Sequence, residues 1–410
     1  LTRLFGPEDF GVYAIYLSLV SIFSVIISGR YEYAIMLPVV EKNAIKLWQL
    51  CFFLTITVSI FILLIIIIFN KSITHLLAEE RISFWLYFVP IAVFLTGSYQ
   101  SYYLWFTRKK EFKLIAKASV TQAGTGSAIQ LLLGFFKSGP GGLVIGNIAG
   151  LLGSFLIFLF GDKSSLITKK VEKQEIKKQA VEYKKFPQFD ALNVLFHIFS
   201  VKGINILFGK FFGAGVVGFY AFTDRILLTP FTFFTAAFSQ AFYEKLTHTY
   251  NNNRTFFNEL VNITIGKMIL IITIPFIVVV LSSKYFIPIV FGENWSELYH
   301  YIYILAPPTY LTLILSPQAH VLKIFNLQNV SLYINFWLFF NKFLAIFIAV
   351  FIFKWGDILT LLLFSFVSFL SIAINSWIVF KKMKMALPKN LIYVFTAIGI
   401  TYILLIVFKI

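Results

Sequence analysis

The sequence predicts an all-α polytopic membrane protein, and three observations carry that prediction. Of 410 residues, 59% are hydrophobic and 13% charged, with a mean hydropathy of +0.84, far outside the range of a soluble domain. The apolar residues come in unbroken runs such as Cys51 to Phe69, long enough to cross hydrocarbon as helix and without the alternation of a β-barrel strand. The basic residues behind the formal charge of +17 fall between those runs, where topology signals and anionic lipid contacts belong, which argues against nucleic acid as a partner.

Taken in order, the apolar runs give twelve candidate spans, at about 13–36, 47–69, 84–106, 114–135, 142–160, 189–211, 219–241, 264–283, 298–319, 332–353, 358–380 and 391–409. When alternate loops are assigned to opposite sides, Lys and Arg number 21 on one side and 7 on the other. The first set is therefore cytoplasmic, and a misplaced span would have scrambled the alternation. The longest loop, about 161–186, carries eight lysines against four acids and reads as a basic cytoplasmic linker. Cys51 is the only cysteine, so neither a disulfide framework nor a cysteine metal site is expected. The chain begins at Leu1 with no signal-peptide pattern, which predicts that a natural N-terminal segment precedes it.

An internal repeat organises these spans. Residues 5–14 read FGPEDFGVYA and residues 212–221 read FGAGVVGFYA, sharing F-G-x4-G-x-Y-A at an offset of 207. Both copies precede a span on the outer side, and six spans separate them, an even number. The halves are therefore expected to have parallel topology about an axis along the membrane normal. By symmetry a helix should precede Phe5. The expected organisation is an N-terminal bundle over 1–160 lacking its first span, a basic linker over 161–186, a six-span C-terminal bundle over 187–380 and an extra span over 381–410.

Several stretches resemble the Wzx-type polysaccharide flippases of the superfamily that also holds the MATE drug exporters and the lipid II flippase. They are RLFGPEDFGVYA at 3–14, GRYEYAIMLP at 29–38, FFGAGVVGFYAFTDRILLTP at 211–230 and FGENW at 291–295. The resemblance implies a MATE-like fold of two six-helix bundles facing each other across a central cavity. It also implies alternating-access export of an undecaprenyl-diphosphate-linked oligosaccharide (O-antigen, capsule or exopolysaccharide unit) across a bacterial cytoplasmic membrane, next to glycan polymerase machinery. The sequence departs from the family twice: Lys202 and Gly203 stand where members often carry a helix-breaking proline, and the span at 391–409 exceeds the two-times-six core.

Ionisable residues inside spans cost at least ~2.5 kcal/mol and are expected to face a bundle interior or wet cavity. The candidate substrate-binding cations are Arg30, Arg225, Lys117, Lys202 and Lys342; the candidate acids are Glu32, Asp190 and Asp224. Arg30 and Arg225 stand out because a diphosphate head group suits permanently charged, bidentate guanidinium forks. Taken as continuous helix, Arg30 would lie ~26 Å inward from Tyr13 and Arg225 ~9 Å inward from Phe219. The structural alternative is that Arg30 ends its span at the headgroups and Arg225 pairs with Asp224. Asp190, Asn193 and His197 share one helix face, a candidate cavity wall in which Asp190 could take a coupling H+ or Na+ and His197 could titrate near neutrality. Lys117, Thr121 and Thr125 trace a second stripe, beside Gly124 and Gly126, that permits close helix packing. Pro230, Pro275 and Pro307-Pro308 mark expected bends. No H-E-x-x-H, phosphate-binding glycine loop or G-x-S-x-G occurs, and the outer loops are short, so an enzyme, a cofactor and a metal are not expected. A cation-coupled drug or metabolite antiporter of the same superfamily is the alternative reading.

Overall fold

The computed structural model describes residues 1–162, 166–167, 173–252, 254–316, 328–383 and 385–407. Among these the chain is helical, without strands. Each of the twelve candidate spans falls on a helix: α1 (Pro7–Ile26), α2 (Glu41–Leu77), α3 (Val89–Arg108), α4 (Phe112–Phe135) and α5 (Pro140–Gly161) come first. A short helix α6 (Lys173–Glu182) lies in the basic linker. Then follow α7 (Ala191–Phe212), α8 (Ala214–Asn252), α9 (Arg254–Phe291), α10 (Leu298–Ile314), α11 (Gln328–Phe347), α12 (Asp357–Lys382) and α13 (Lys389–Val407). Among the described residues seven helices are individually long and apolar enough to cross a membrane, and an eighth qualifies when the bent pair at α3 is joined. The end of the 298–319 span, beyond residue 316, and the loop at Lys323 lie outside the described residues.

Local chemistry explains the helix limits. Pro7 opens α1, where its missing N–H costs nothing, and the Asp9 carboxylate accepts from the Gly6 amide at 3.3 Å. The 13–36 span is corrected: α1 stops at Ile26, and after a turn a 3-10 segment covers Tyr31–Met36. Hydropathy ran on through Tyr31–Met36, but Gly29 (φ 58°) and Arg30 (φ 64°) are left-handed and end the helix. The 84–106 span is bent by 52° between Glu80–Leu86 and α3, where Pro90 sits in the first turn. The stretch between the candidate spans at 219–241 and 264–283 is mostly helix, since α8 and α9 run past their apolar stretches to Asn252 and from Arg254. Both helices carry their prolines, Pro230 and Pro275, internally. Helix α7 passes unbroken through Lys202 and Gly203, and the irregularity is a π-turn just before it, at Phe186–Asp190.

By packing, the chain divides into two compact units, Leu1–Gly218 and Phe219–Ile410. The division falls after α7, whereas the sequence reading drew its bundle boundary before that helix. The reason is α7's seam with α1, where buried Asn205 donates to buried Ser18 at 2.9 Å. An unpaired amide in hydrocarbon would be costly, so this hydrogen bond fixes the helix pair.

The repeat glycines sit in the first unit on a doubled contact. A Cβ on Gly11 would come within 1.8 Å of the Ala214 carbonyl oxygen, and one on Gly218 within 1.9 Å of the Pro7 carbonyl oxygen. The offset of 207 carries Gly11 to Gly218 and Pro7 to Ala214, so the same backbone contact is made twice with roles exchanged. The core of this unit is aromatic: Trp48 packs on Tyr102 (4.8 Å between centroids) and Phe106 on Phe158 (5.2 Å), around buried Cys51. Helices α4 and α5 meet through small residues, with Gly150 so close that a Cβ would stand 2.5 Å from the Gln122 carbonyl oxygen. Gly126 is in that contact and Gly124 faces open space, so only one of the two glycines singled out from the sequence packs.

In the second unit Ser365 of α12 donates to the Ile304 carbonyl of α10 and lies 2.7 Å from the Tyr402 hydroxyl of α13. This cluster ties the last helix to α12 and α10.

Candidate functional site

Arg30 owes its position to the left-handed turn that ends α1. The turn aims its guanidinium across to the start of α7, where Nε donates to Asp190 at 3.0 Å, while Nη1 lies 3.6 Å from Glu32. The guanidinium also covers the Tyr33 ring at 4.2 Å, a cation–π contact that favours the charge. Arg30 is 15% exposed and Asp190 41%, so one fork is committed inside the protein while the Asp190 edge opens outward. Arg30 is therefore not deep within a helix, as continuous helix from Tyr13 would have placed it; it lies in the turn past the first span.

Glu32 is 1% exposed, accepts from Ser28, and has one oxygen without a hydrogen-bond partner. Burial pushes its carboxyl above the usual range, against the opposing pull of the Ser28 hydroxyl and the Arg30 charge. Around this cluster the backbone is held by groups outside the candidate set. Arg108 donates to the carbonyls of Ile35 and Met36 at 3.2 Å each and of Pro38 at 2.5 Å. Tyr31 donates to the Ala180 carbonyl of α6 at 2.9 Å, and Glu175 of α6 takes Lys42 at 2.9 Å and Lys46 at 3.8 Å. The segment between α1 and α2 is thus pinned by α3 and α6, which helps hold Arg30 in a conformation that costs a non-glycine residue about 1–2 kcal/mol.

Of the other first-unit candidates, Asn193 is half-buried and His197 exposed, one and two turns beyond Asp190 on α7. Lys202 is half-buried, Lys117 is exposed on α4, and neither has an ion-pair partner among the described residues. The structure thus joins Arg30, Glu32 and Asp190 and leaves Lys117 and Lys202 apart from them.

In the second unit, Lys342 of α11 and Asp224 of α8 form a separate charged cluster. Asp224 acts electrostatically on both Lys342 and Tyr220, the Lys342 ammonium lies 5.7 Å from the Phe364 ring, and Tyr220 packs edge-on against that ring at 6.0 Å. Arg225 is exposed and has no ion-pair partner among the described residues, so the alternative reading in which it pairs with Asp224 is not met. The same unit holds an apolar groove of about 350 Å³ between α9, α10 and α13, walled by Ile269, Phe276, Val280, Pro307, Val394 and Ile398. Among the described residues no three His, Cys, Asp or Glu side chains gather as a metal site would require.

The model of a family described as "polysaccharide biosynthesis protein" matches residues 1–300. No curated protein matches the sequence significantly. Among solved structures the chain is similar to the lipid II flippase MurJ in an inward closed conformation, with a TM-score of 0.70 at 12% identity over 99% of this chain and 87% of that one. It is similar also to an inward-facing MATE-family multidrug resistance transporter, with a TM-score of 0.69 at 13% identity over 92% and 91% of the two chains. At these identities the likeness is one of fold.

Proposed function

Because the chain belongs to the polysaccharide biosynthesis protein family, we propose that it flips an undecaprenyl-diphosphate-linked oligosaccharide from the inner to the outer leaflet of a bacterial cytoplasmic membrane by alternating access. The observation that carries the reading is the Arg30 cluster. Arg30 is a preorganised guanidinium just past the end of α1, on the side that the Lys and Arg asymmetry assigns to the cytoplasm, and the side chain of its Asp190 partner is 41% exposed. A diphosphate arriving from the cytoplasmic side can take over the fork that Asp190 holds, because phosphate accepts the same charge-assisted bonds. Arg225, Lys117, Lys202 and Lys342 are further cationic contacts for the head group along the path. Glu32, Asp190, Asn193, His197 and Asp224 are the groups available to a coupling H+ or Na+. The apolar groove of the second unit suits a polyprenyl tail. In the cell the protein would hand its cargo to glycan polymerase machinery.

The test is deletion of the gene with assay of lipid-linked oligosaccharide in the cytoplasmic leaflet. Accumulation there with loss of surface glycan is expected, and complementation by wild type but not by Arg30→Ala ties it to the site. Normal surface glycan in a strain without a redundant flippase rejects the reading. A second reading, cation-coupled drug or metabolite antiport, is favoured by the near-equal fold likeness to the multidrug transporter. It predicts drug sensitivity of the deletion strain with surface glycan intact.

A further inference from the structure

The first unit contains a second cleft whose chemistry the diphosphate does not use. It lies between α4 and α5, has a volume of about 370 Å³, and is lined by Ser119, Gln122, Ser127, Gln130 and Asn147 with glycine backbone between them. That volume is at the lower end of the range for small-molecule pockets, roughly 300–1,000 Å³. No charged side chain lines it. Polar side chains in a spanning helix pair are expected to bond across the pair, and here most do not. Gln130 donates to the Leu143 carbonyl at 3.1 Å, and Ser119 meets the Tyr99 hydroxyl at 3.3 Å. The Asn147 side-chain oxygen is buried without a partner, and Gln122 and Ser127 have no side-chain hydrogen bond among the described residues. Each amide offers two donors and an acceptor, and each hydroxyl can do both.

We infer that the α4–α5 cleft is a subsite for neutral sugar residues. Vicinal sugar hydroxyls are alternating donors and acceptors without charge, which matches unpaired amides and hydroxyls in an uncharged cleft. A phosphate would instead meet no cation there, and an acyl or prenyl chain would leave Gln122, Ser127 and the Asn147 oxygen desolvated and unbonded. Glycines 126, 146 and 150 let the two backbones close to contact, so the amide and hydroxyl groups bound the cleft with no bulky apolar side chain among them. The inference rests on the proposed cargo and assigns its glycan part to a place distinct from Arg30.

The experiment uses the full chain in lipid nanodiscs, with two probes: the lipid-linked glycan extracted from cells deleted for the gene, and bare undecaprenyl diphosphate. Wild-type protein is expected to bind the glycosylated lipid at least tenfold more tightly than the bare one. Gln122→Leu/Asn147→Leu should erase that difference and leave affinity for the bare lipid unchanged, with an unaltered melting temperature as the folding control. Should the double variant not fold, Gln122→Met and Ser127→Ala singly should each narrow the difference severalfold. Equal wild-type affinity for the two probes, or variants that keep the full difference, overturns the inference while the cargo reading stands. Deleted cells that accumulate no glycosylated lipid overturn the cargo reading and the inference with it.

Discussion

The cleft between α4 and α5 and the groove between α9, α10 and α13 have nearly the same volume, about 370 and 350 Å³, and opposite walls. The first is bounded by amides, hydroxyls and glycine backbone, and the second by branched aliphatics, Phe276 and Pro307. Neither is lined by a charged side chain, and neither Arg30 nor Lys342 is among the lining residues. One chain therefore holds an amide-and-hydroxyl cleft, an apolar groove and cationic clusters, the three kinds of surface that the proposed lipid-diphosphate-glycan cargo would require. The difference also predicts which surface tolerates filling: walls that meet backbone to backbone cannot yield, whereas an open apolar groove can.

Substituting Gly150→Leu is the severest way to break the comparison. The new side chain must displace the Gln122 carbonyl, so overpacking of at least ~1–3 kcal/mol is expected, seen as a sharply lowered melting temperature or loss of folded protein. Ala397→Leu at the open edge of the apolar groove should leave the melting temperature unchanged. An Arg30→Ala variant should fold, yet lose ~1.5–3 kcal/mol of charge-assisted binding, about ten- to hundredfold in affinity. Measured on glycosylated and bare lipid diphosphate, the loss should be equal for both; a loss confined to one would merge the anion site with a cleft. Val280→Trp should cost about 1 kcal/mol, roughly fivefold, in affinity for the polyprenyl lipid, and nothing for a water-soluble nucleotide-free diphosphosugar lacking the tail.

The smallest effect concerns Glu32. Its carboxyl lies above the usual range in the folded protein because it is buried, so the folded state holds the proton more tightly than the unfolded chain. Stability is then greatest below the ordinary carboxylate range and falls as pH rises from there through the raised value. Thermal unfolding across that interval should show the slope in the wild type and a flatter one in Glu32→Gln. An unchanged slope would assign the pH dependence to other groups.

Much of the architecture was legible. Apolar runs located twelve helices because hydrocarbon demands length and continuity, and the flippase resemblance read from the motifs agrees with the family match. Helix ends were less legible, since hydropathy cannot see a left-handed residue: Tyr31–Met36 is apolar but follows the break at Gly29 and Arg30. The Arg30–Asp190 pair spans 160 residues, and no local spacing announces it. The α4–α5 cleft could have been found. Ser119, Gln122, Gly126 and Gln130 recur at intervals of three and four, but attention to charge selected Lys117, Thr121 and Thr125 on a neighbouring face.

The doubled contact of Gly11 with Ala214 and Gly218 with Pro7 has a consequence for how such a chain can vary. Its two partners are bare main chain, with nothing to protonate and no side chain to exchange. Mutation cannot tune this seam by degrees; a single methyl on either glycine wedges it apart. The glycine seam is thus fixed by shape alone, whereas the segment that follows the far end of α1 carries, at Glu32, a buried group that answers to the medium.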